Sequence, residues 1–186
     1  MNICLLGFTD KRPVFYSLLK ALGQVGRTLF ITPNLQYSQL SESYEQDFEV
    51  MGARIICEPI SFGEILAEIE QEEYNYIVYD CLVEIPEKVD IALIHDNLEY
   101  YRDLLEGIDE ETYRLFINKA LTSEKANTYS MVPAALLEKT CRQIEQTKLP
   151  CPFPSSDHNK MISLLLGQIL KMPPASIIKY LKRGVK

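Results

Sequence analysis

Short apolar runs, loop residues and helix-patterned segments alternate along the chain. The run Ile3–Leu6 stops at Gly7, and the segment Phe15–Leu22 carries apolar residues at helical spacing. A second apolar run, Leu29–Ile31, follows Gly26. A strand, a loop, a helix and another strand in this order predict the opening unit of a doubly wound, mostly parallel α/β sheet with helices on both faces.

The later segments continue this alternation. Further strands are predicted over Arg54–Cys57, Tyr74–Tyr79, Ile91–Ile94 and Tyr113–Ile117, and Tyr74–Tyr79 is expected to be central. Helices are predicted over Tyr37–Met51, Ser61–Ile69, Leu98–Leu105, Val132–Ile144, Met161–Ile169 and Ser176–Val185, the second opened by a capping box and the fifth capped by Ser156 or Asp157. We expect a single α/β domain over residues 1–186.

The first helix has its own start signals. Thr9 or Asp10 is expected to cap it, with Pro13 tolerated in the first turn. Its predicted core face consists of Val14, Leu18, Ala21, Leu22 and Val25.

Charge and cysteine usage narrow the class of protein. The net charge of −7 disfavours a general nucleic-acid binder, although five basic and no acidic residues occur from Lys171 onward. The five cysteines form no C-x-x-C pair, which favours reduced thiols. Met1 leads directly into a strand and no apolar run approaches 18 residues, so we expect a cytoplasmic protein.

Several segments, taken in order, resemble the MinD/ParA group of P-loop ATPases. They are Gly26 before Leu29–Ile31, Tyr74–Asp80, Val89–Ile94, Phe116–Lys119 and Leu149–Pro150. The resemblance implies a three-layer αβα fold of the P-loop NTPase type. It extends to degenerate members of the Tad/CpaE type, which localise other components.

Two departures from the group's pattern concern its chemistry. The segment Gly7–Pro13 stands in place of the glycine-rich phosphate loop, with one glycine and a carboxylate at Asp10. Thr32-Pro33-Asn34 replaces the acidic D-x-D motif. Because phosphoryl transfer needs both phosphate positioning and neutralised charge, we expect it to be lost.

The resemblance also assigns residual site residues. Lys11 or Arg12 falls near the phosphate-binding lysine, Asp80 matches the magnesium position, and Asn118 matches a base-contacting position. The alternatives are that Asp80 ends a buried strand and caps the next turn, and that Asn118 forms a turn.

Other titratable residues suggest weaker hypotheses. Cys81 with His95 and Asp96 could form a nucleophile set, but solvated loop residues are the simpler interpretation. His158 has no companion metal ligands at a suitable spacing.

The basic end of the chain has an amphipathic pattern within residues 173–186. Its apolar stripe and basic flank resemble the group's membrane-targeting helix and are predicted to contact an anionic membrane surface through Ile177, Ile178, Lys179, Leu181, Lys182 and Arg183. The alternative is that this helix packs on the sheet.

Three hypotheses follow. The first is a non-hydrolysing scaffold or localisation protein of the MinD/ParA type, without cofactor or nucleic acid. Its partners would be other protein components of a membrane-associated machine. The chain itself would form a homodimer, or a heterodimer with an active ATPase of the group. The second is a residual ATPase that binds ATP and Mg through Lys11, Arg12 and Asp80. The third is a plain partner-binding module.

Overall fold

The computed structural model describes residues 1–7, 10–82, 84–94, 114–117, 134–153 and 156–183. Its strands are β1 (Asn2–Leu6), β2 (Thr28–Thr32), β3 (Asp47–Val50), β4 (Ala53–Cys57), β5 (Tyr76–Cys81), β6 (Ile91–Ile94) and β7 (Arg114–Ile117). Its α-helices are α1 (Arg12–Leu22), α2 (Phe62–Ala67), α3 (Ala134–Thr147), α4 (Ser156–Leu170) and α5 (Pro174–Leu181). Short 3₁₀ helices occupy Leu35–Leu40 and Gln71–Glu73.

The strands form one sheet in the order β3-β4-β2-β5-β1-β6-β7. Every neighbouring pair is parallel except β3 and β4. In register, Leu6 of β1 lies opposite Cys81 of β5 and Ile94 of β6. The chain runs from β1 toward one edge through β2 and β4, and later reaches the other edge through β6 and β7. This confirms the predicted α/β class, with β5 central, and places a crevice at the carboxyl ends of β1 and β5.

Alternate strand residues point to opposite faces of the sheet, and both faces are apolar. Leu5, Phe30 and Val78 join a buried cluster with α1, α3, α4 and α5. Cys4 and Tyr79 join a second cluster with Phe62 and Ile65 of α2. Helices therefore cover both faces of the sheet, as expected for strands that are apolar on both sides.

Helix α1 begins beside the crevice and is almost entirely buried. Ten of its eleven residues are buried, and Phe15 stacks on Tyr37 with ring centroids 4.1 Å apart. Val25, predicted in the core, is 52% exposed because the helix ends at Leu22. Its N-cap is Lys11 rather than Thr9 or Asp10, and Thr9 lies outside the described residues.

The helix predicted over Tyr37–Met51 is wrong. The 3₁₀ helix Leu35–Leu40 is capped by the side chain of Asn34, and β3 then pairs antiparallel with β4. Met51 and Gly52, both with positive φ, form the turn between these strands. Pairing with β4 overrides the weak helical pattern, since strand formation depends on a partner that is not part of the segment.

The remaining helix boundaries differ modestly from prediction. Ser61 and Glu64 form the expected capping box. Helix α4 begins at Ser156, ahead of the predicted Met161, and α5 begins at Pro174. The predicted helix Leu98–Leu105 lies outside the described residues. Within the described residues, every helix is too short or too polar to span a bilayer.

Candidate functional site

The carboxyl ends of β1, β2 and β5 meet at one edge of the sheet and border a cavity of about 480 Å³. Gly7 has a φ of 150°, a conformation that favours glycine, and lets the chain leave β1 toward this cavity. The cavity is lined by Gly7, Asp10, Lys11, Arg12, Pro33, Asn34, Gln36, Tyr37, Asp80 and Leu82.

A buried ion pair lies at the base of this cavity. Lys11 Nζ is 2.5 Å from Asp80 Oδ1, and the two residues are 6% and 3% exposed. The same ammonium donates to the carbonyl oxygens of Cys81 at 2.7 Å and Leu5 at 3.5 Å. Asp80 Oδ1 has no hydrogen bond of regular geometry among the described residues, so the charge of Lys11 is what compensates its burial.

The other oxygen of Asp80 connects the pair to β2. Thr32 Oγ1 donates to Asp80 Oδ2 at 2.7 Å, and the Asn34 amide donates to Thr32 Oγ1 at 3.1 Å. Asn34 Oδ1 in turn accepts from the Gln36 amide at 3.0 Å. The carboxylate therefore organises the loop that follows β2 as well as the start of α1.

Arg12 is held by three carboxylates other than Asp80. Its guanidinium donates to Asp10 at 2.9 and 2.7 Å, to Glu145 of α3 at 3.2 Å, and to Glu138. The hydrogen bond to Asp10 is the main cause of an Arg12 pKa well above its ordinary value. Glu145 also accepts from Tyr16 Oη at 2.8 Å, and burial followed by the charge of Glu145 raises the Tyr16 pKa.

The described groups that could meet a magnesium nucleoside triphosphate already have partners within the chain. The Arg12 amide at the start of α1 already donates to Asp10 Oδ1 at 3.0 Å, and Pro13 has no amide hydrogen. Both nearby cations are paired with carboxylates, so a phosphate would have to displace them. In the described part of the chain, no group of three His, Cys, Asp or Glu residues is arranged to hold a metal ion.

The structure separates the sequence-predicted site residues into two sets. Lys11 and Asp80 come together, whereas Arg12 is directed toward α3. Asn118, His95 and Asp96 lie outside the described residues.

Cys81 does not have the environment of a nucleophile. Its thiol is fully buried 3.0 Å from Cys4 Sγ, and burial is the main cause of a Cys81 pKa well above its usual value. His158 Nε2 lies 2.9 Å from Ser17 Oγ, and its ring is 4.9 Å from that of Phe153. The contacts of His158 therefore connect α4 to α1.

The amphipathic stripe predicted to contact lipid faces the domain in this structure. Ile177 and Leu181 are each 3% exposed and belong to the core cluster with α1. Of the other residues predicted to contact lipid, Ile178 is half-buried, and Lys179, Lys182 and Arg183 are exposed. The domain covers Ile177 and Leu181 in this conformation, so their contact with lipid stays a prediction that requires α5 to leave the domain.

A lysine of α1 holds the docked helix in place. Lys20 Nζ donates to the carbonyl oxygens of Leu181 at 2.9 Å and Arg183 at 2.5 Å. Tyr180 Oη donates back to the Lys20 carbonyl oxygen at 3.0 Å. The ammonium thereby satisfies carbonyl groups at the end of α5, which have no partner within the helix.

Sequence reasoning did not identify Lys20, Thr32, Glu138 or Glu145 as partners of these sites. Their contacts join distant parts of the chain, for example Lys20 with Leu181 and Arg12 with Glu145. The one available signal was at Thr32, because it stands at the end of β2, where open α/β sheets place ligands.

No protein-family model and no curated protein matches the sequence. Among solved structures, the chain is similar to the MinD cell division protein of Aquifex aeolicus, with 16% identity, a TM-score of 0.49, and coverage of 97% of this chain and 95% of that one. It is also similar to the MinC:MinD cell division protein complex of Aquifex aeolicus, with 14% identity, a TM-score of 0.45, and coverage of 97% and 94%. Similarities of this size do not establish a shared function.

Proposed function

We propose that this protein is a non-hydrolysing scaffold or localisation protein of the MinD/ParA type. It would act through protein–protein contacts in a bacterial assembly machine such as a pilus or secretion system. The observation that carries this proposal is the buried Lys11–Asp80 pair, because it commits both residues that the MinD/ParA resemblance assigns to phosphate and magnesium. A scaffold needs the sheet and its surfaces but not a nucleotide.

The charges around the pair support the same conclusion. Asp10 places a carboxylate at the start of α1, where the helix dipole would otherwise favour a phosphate. Thr32-Pro33-Asn34 supplies no carboxylate for a metal or an attacking water. Because phosphoryl transfer depends on positioned and neutralised charge, these residues do not provide the means to accelerate it.

Isothermal titration of the purified chain with ATP and magnesium tests the proposal. We expect no heat of binding up to millimolar nucleotide and no phosphate release, because an incoming phosphate must break the pairs of Lys11 and Arg12 with Asp80 and Asp10. Micromolar binding would contradict a scaffold without cofactor.

The competing proposal is a residual ATPase that uses Lys11, Arg12 and Asp80, and it is favoured only by the cavity that these residues line. If it is right, nucleotide should raise the melting temperature of the wild type. The double variant Lys11→Ala/Arg12→Ala should then show no such rise. Lys179→Ala, which removes an exposed lysine of α5, is the matched control and should behave as the wild type does.

The proposed partners are other protein components of the machine. We also propose that the chain associates with itself, or with an active MinD/ParA-type ATPase, through the cavity face, which is the surface around the cavity-lining residues. Leu82 and Leu35, on or beside this face, are 43% and 45% exposed and offer apolar contact area. Sedimentation equilibrium with and without such an ATPase measures both assemblies. A monomer in both samples at micromolar concentration would contradict this part of the proposal.

An anionic membrane surface is the second proposed contact, for a cytoplasmic protein that binds the membrane peripherally. Lys179, Lys182 and Arg183 are exposed on or directly after α5 and can attract acidic headgroups while the helix stays docked. Insertion of the apolar stripe would require α5 to leave the domain first, since Ile177 and Leu181 are buried.

A further inference from the structure

The ammonium of Lys11 is surrounded by oxygen atoms. Those given by the described residues are Asp80 Oδ1 at 2.5 Å, the Cys81 carbonyl oxygen at 2.7 Å and the Leu5 carbonyl oxygen at 3.5 Å. Two of them are fixed main-chain atoms at the ends of β5 and β1, and the third is a buried carboxylate. This oxygen set is a cation site in its own right, and the chain's own lysine fills it.

We propose that Leu5, Cys81 and Asp80 form a built-in ammonium site, and that its occupant, Lys11, takes the place of an external ligand in holding the cavity face in shape. This inference rests on the proposed function and adds its regulation: the scaffold would present its binding face constitutively. A nucleotide-dependent switch would instead need the face to form only when a ligand arrives.

The contacts explain how one ammonium could order the whole face. Lys11 fixes Asp80, Asp80 accepts from Thr32, and Thr32 Oγ1 accepts from the Asn34 amide. Asn34 then caps the 3₁₀ helix Leu35–Leu40, which carries the cavity-lining residues Gln36 and Tyr37. Loss of the ammonium should therefore loosen the loop after β2 as well as the start of α1.

The charge of the site selects the class of occupant. It contains one carboxylate, so a single positive charge neutralises it, whereas a divalent ion would leave excess charge in a buried position. The two carbonyl oxygens accept hydrogen bonds from N–H donors, and the buried stem of Lys11 fills the volume beside them. A primary ammonium meets both requirements.

Chemical rescue of Lys11→Ala tests this inference. Truncation leaves Asp80 unpaired next to an empty volume, and we expect the melting temperature to fall by on the order of 10 °C. Ethylammonium chloride should restore part of that loss. Sodium chloride and tetramethylammonium chloride at equal ionic strength should restore less, because a sodium ion leaves the space of the lysine stem empty and tetramethylammonium has no N–H donor and is too large. The wild type should respond equally to all three salts.

Two variants serve as controls. Lys11→Met also removes the charge but fills the space, so ethylammonium should not rescue it. Lys11→Ala/Asp80→Asn keeps the space but removes the carboxylate, so its melting temperature should not depend on ethylammonium. If Lys11→Ala does not fold in sodium chloride, the yield of folded protein on refolding in each salt becomes the readout.

Hydrogen exchange gives a second, local readout. The amides of Asn34 and Gln36 should exchange faster in Lys11→Ala than in the wild type and slow again with ethylammonium. Equal recovery in all three salts, equal rescue of Lys11→Met, or unchanged exchange of these amides would overturn the inference. Nucleotide binding by the wild type would contradict the proposed scaffold while leaving the rescue result intact, so the two failures are distinguishable.

Discussion

Gly23 and Gly52 meet where the end of α1 reaches the turn between β3 and β4. A Cβ atom on Gly52 would lie 2.3 Å from the Gly23 carbonyl oxygen, and one on Gly23 would lie 2.3 Å from the Met51 carbonyl oxygen. Gly52 also has a φ of +80°. Two main-chain segments can approach this closely only because neither residue carries a side chain.

Gly52→Ala should therefore destabilise the protein by roughly 3 kcal/mol, from strain at positive φ and a clash with main-chain atoms that cannot move aside. Urea unfolding measures this change. Gly63→Ala in α2 is the matched control, because its nearest atom would be Ser61 Oγ at 4.0 Å. That substitution should be neutral or stabilising by up to about 1 kcal/mol. Equal effects at the two positions would contradict the explanation.

Lys11 and Lys20 show how far single residues could be interpreted from sequence. Lys11 could be selected as a candidate from its distance to Gly26 and its place after β1. Lys20 could not, because a lysine on a helix is ordinarily solvated, and only the docking of α5 brings main-chain carbonyl oxygens to it.

At the scale of elements, α5 depends on the rest of the domain. It has eight residues, too few for a stable isolated helix in water, so its packing through Ile177 and Leu181 has to supply its stability. Lys20 adds charged hydrogen bonds at its carboxyl end, and burial lowers the pKa of Lys20.

Lys20→Met keeps the apolar stem and removes these hydrogen bonds. We expect the amides of α5 to exchange on the order of 30-fold faster, because a hydrogen bond to a charged group contributes about 2 kcal/mol.

In flotation with anionic vesicles, the Lys20→Met variant should bind more than the wild type, and a chain ending at Pro173 should bind least. Lys179→Met, which removes an exposed charge, is the control and should bind no more than the wild type. If the chain ending at Pro173 floats as well as the intact chain, the proposed membrane contact fails.

The error over Tyr37–Met51 also belongs to this scale. Acidic and weakly patterned residues there predicted a helix, yet Asp47–Val50 forms an edge strand on β4. A strand's stability comes from its partner, so the pattern of one segment could not identify it.

For the molecule as a whole, buried thiols give the fold an alkaline limit. Burial is the main cause that raises the pKa of Cys57 and of Cys141 to about 12, above a usual value of 9.0. Both thiols keep their protons in the folded protein, whereas the unfolded chain releases them near pH 9. The resulting stabilisation is complete below pH 9 and is lost progressively as the pH rises toward 12.

Between pH 8 and pH 10, the free energy of unfolding should fall by about 1 kcal/mol for each of these thiols. Urea titrations at the two pH values measure the difference. Cys57→Ala and Cys141→Ala should each flatten the pH dependence. Cys81, whose pKa burial also raises, should keep part of the slope in both variants. An unchanged slope in either variant would contradict the explanation.

The sequence by itself determined most strands, the helices flanking them and the α/β class, because hydrophobic periodicity arises between near neighbours in the chain. It also indicated that the loop after β1 is poor in glycine and carries a carboxylate. Only the tertiary structure decided that Lys11 is paired with Asp80, that Arg12 is bound to α3, and that the stripe on α5 faces inward. Those outcomes depend on which distant groups share a low-dielectric interior, and a pattern of neighbours carries no information about that.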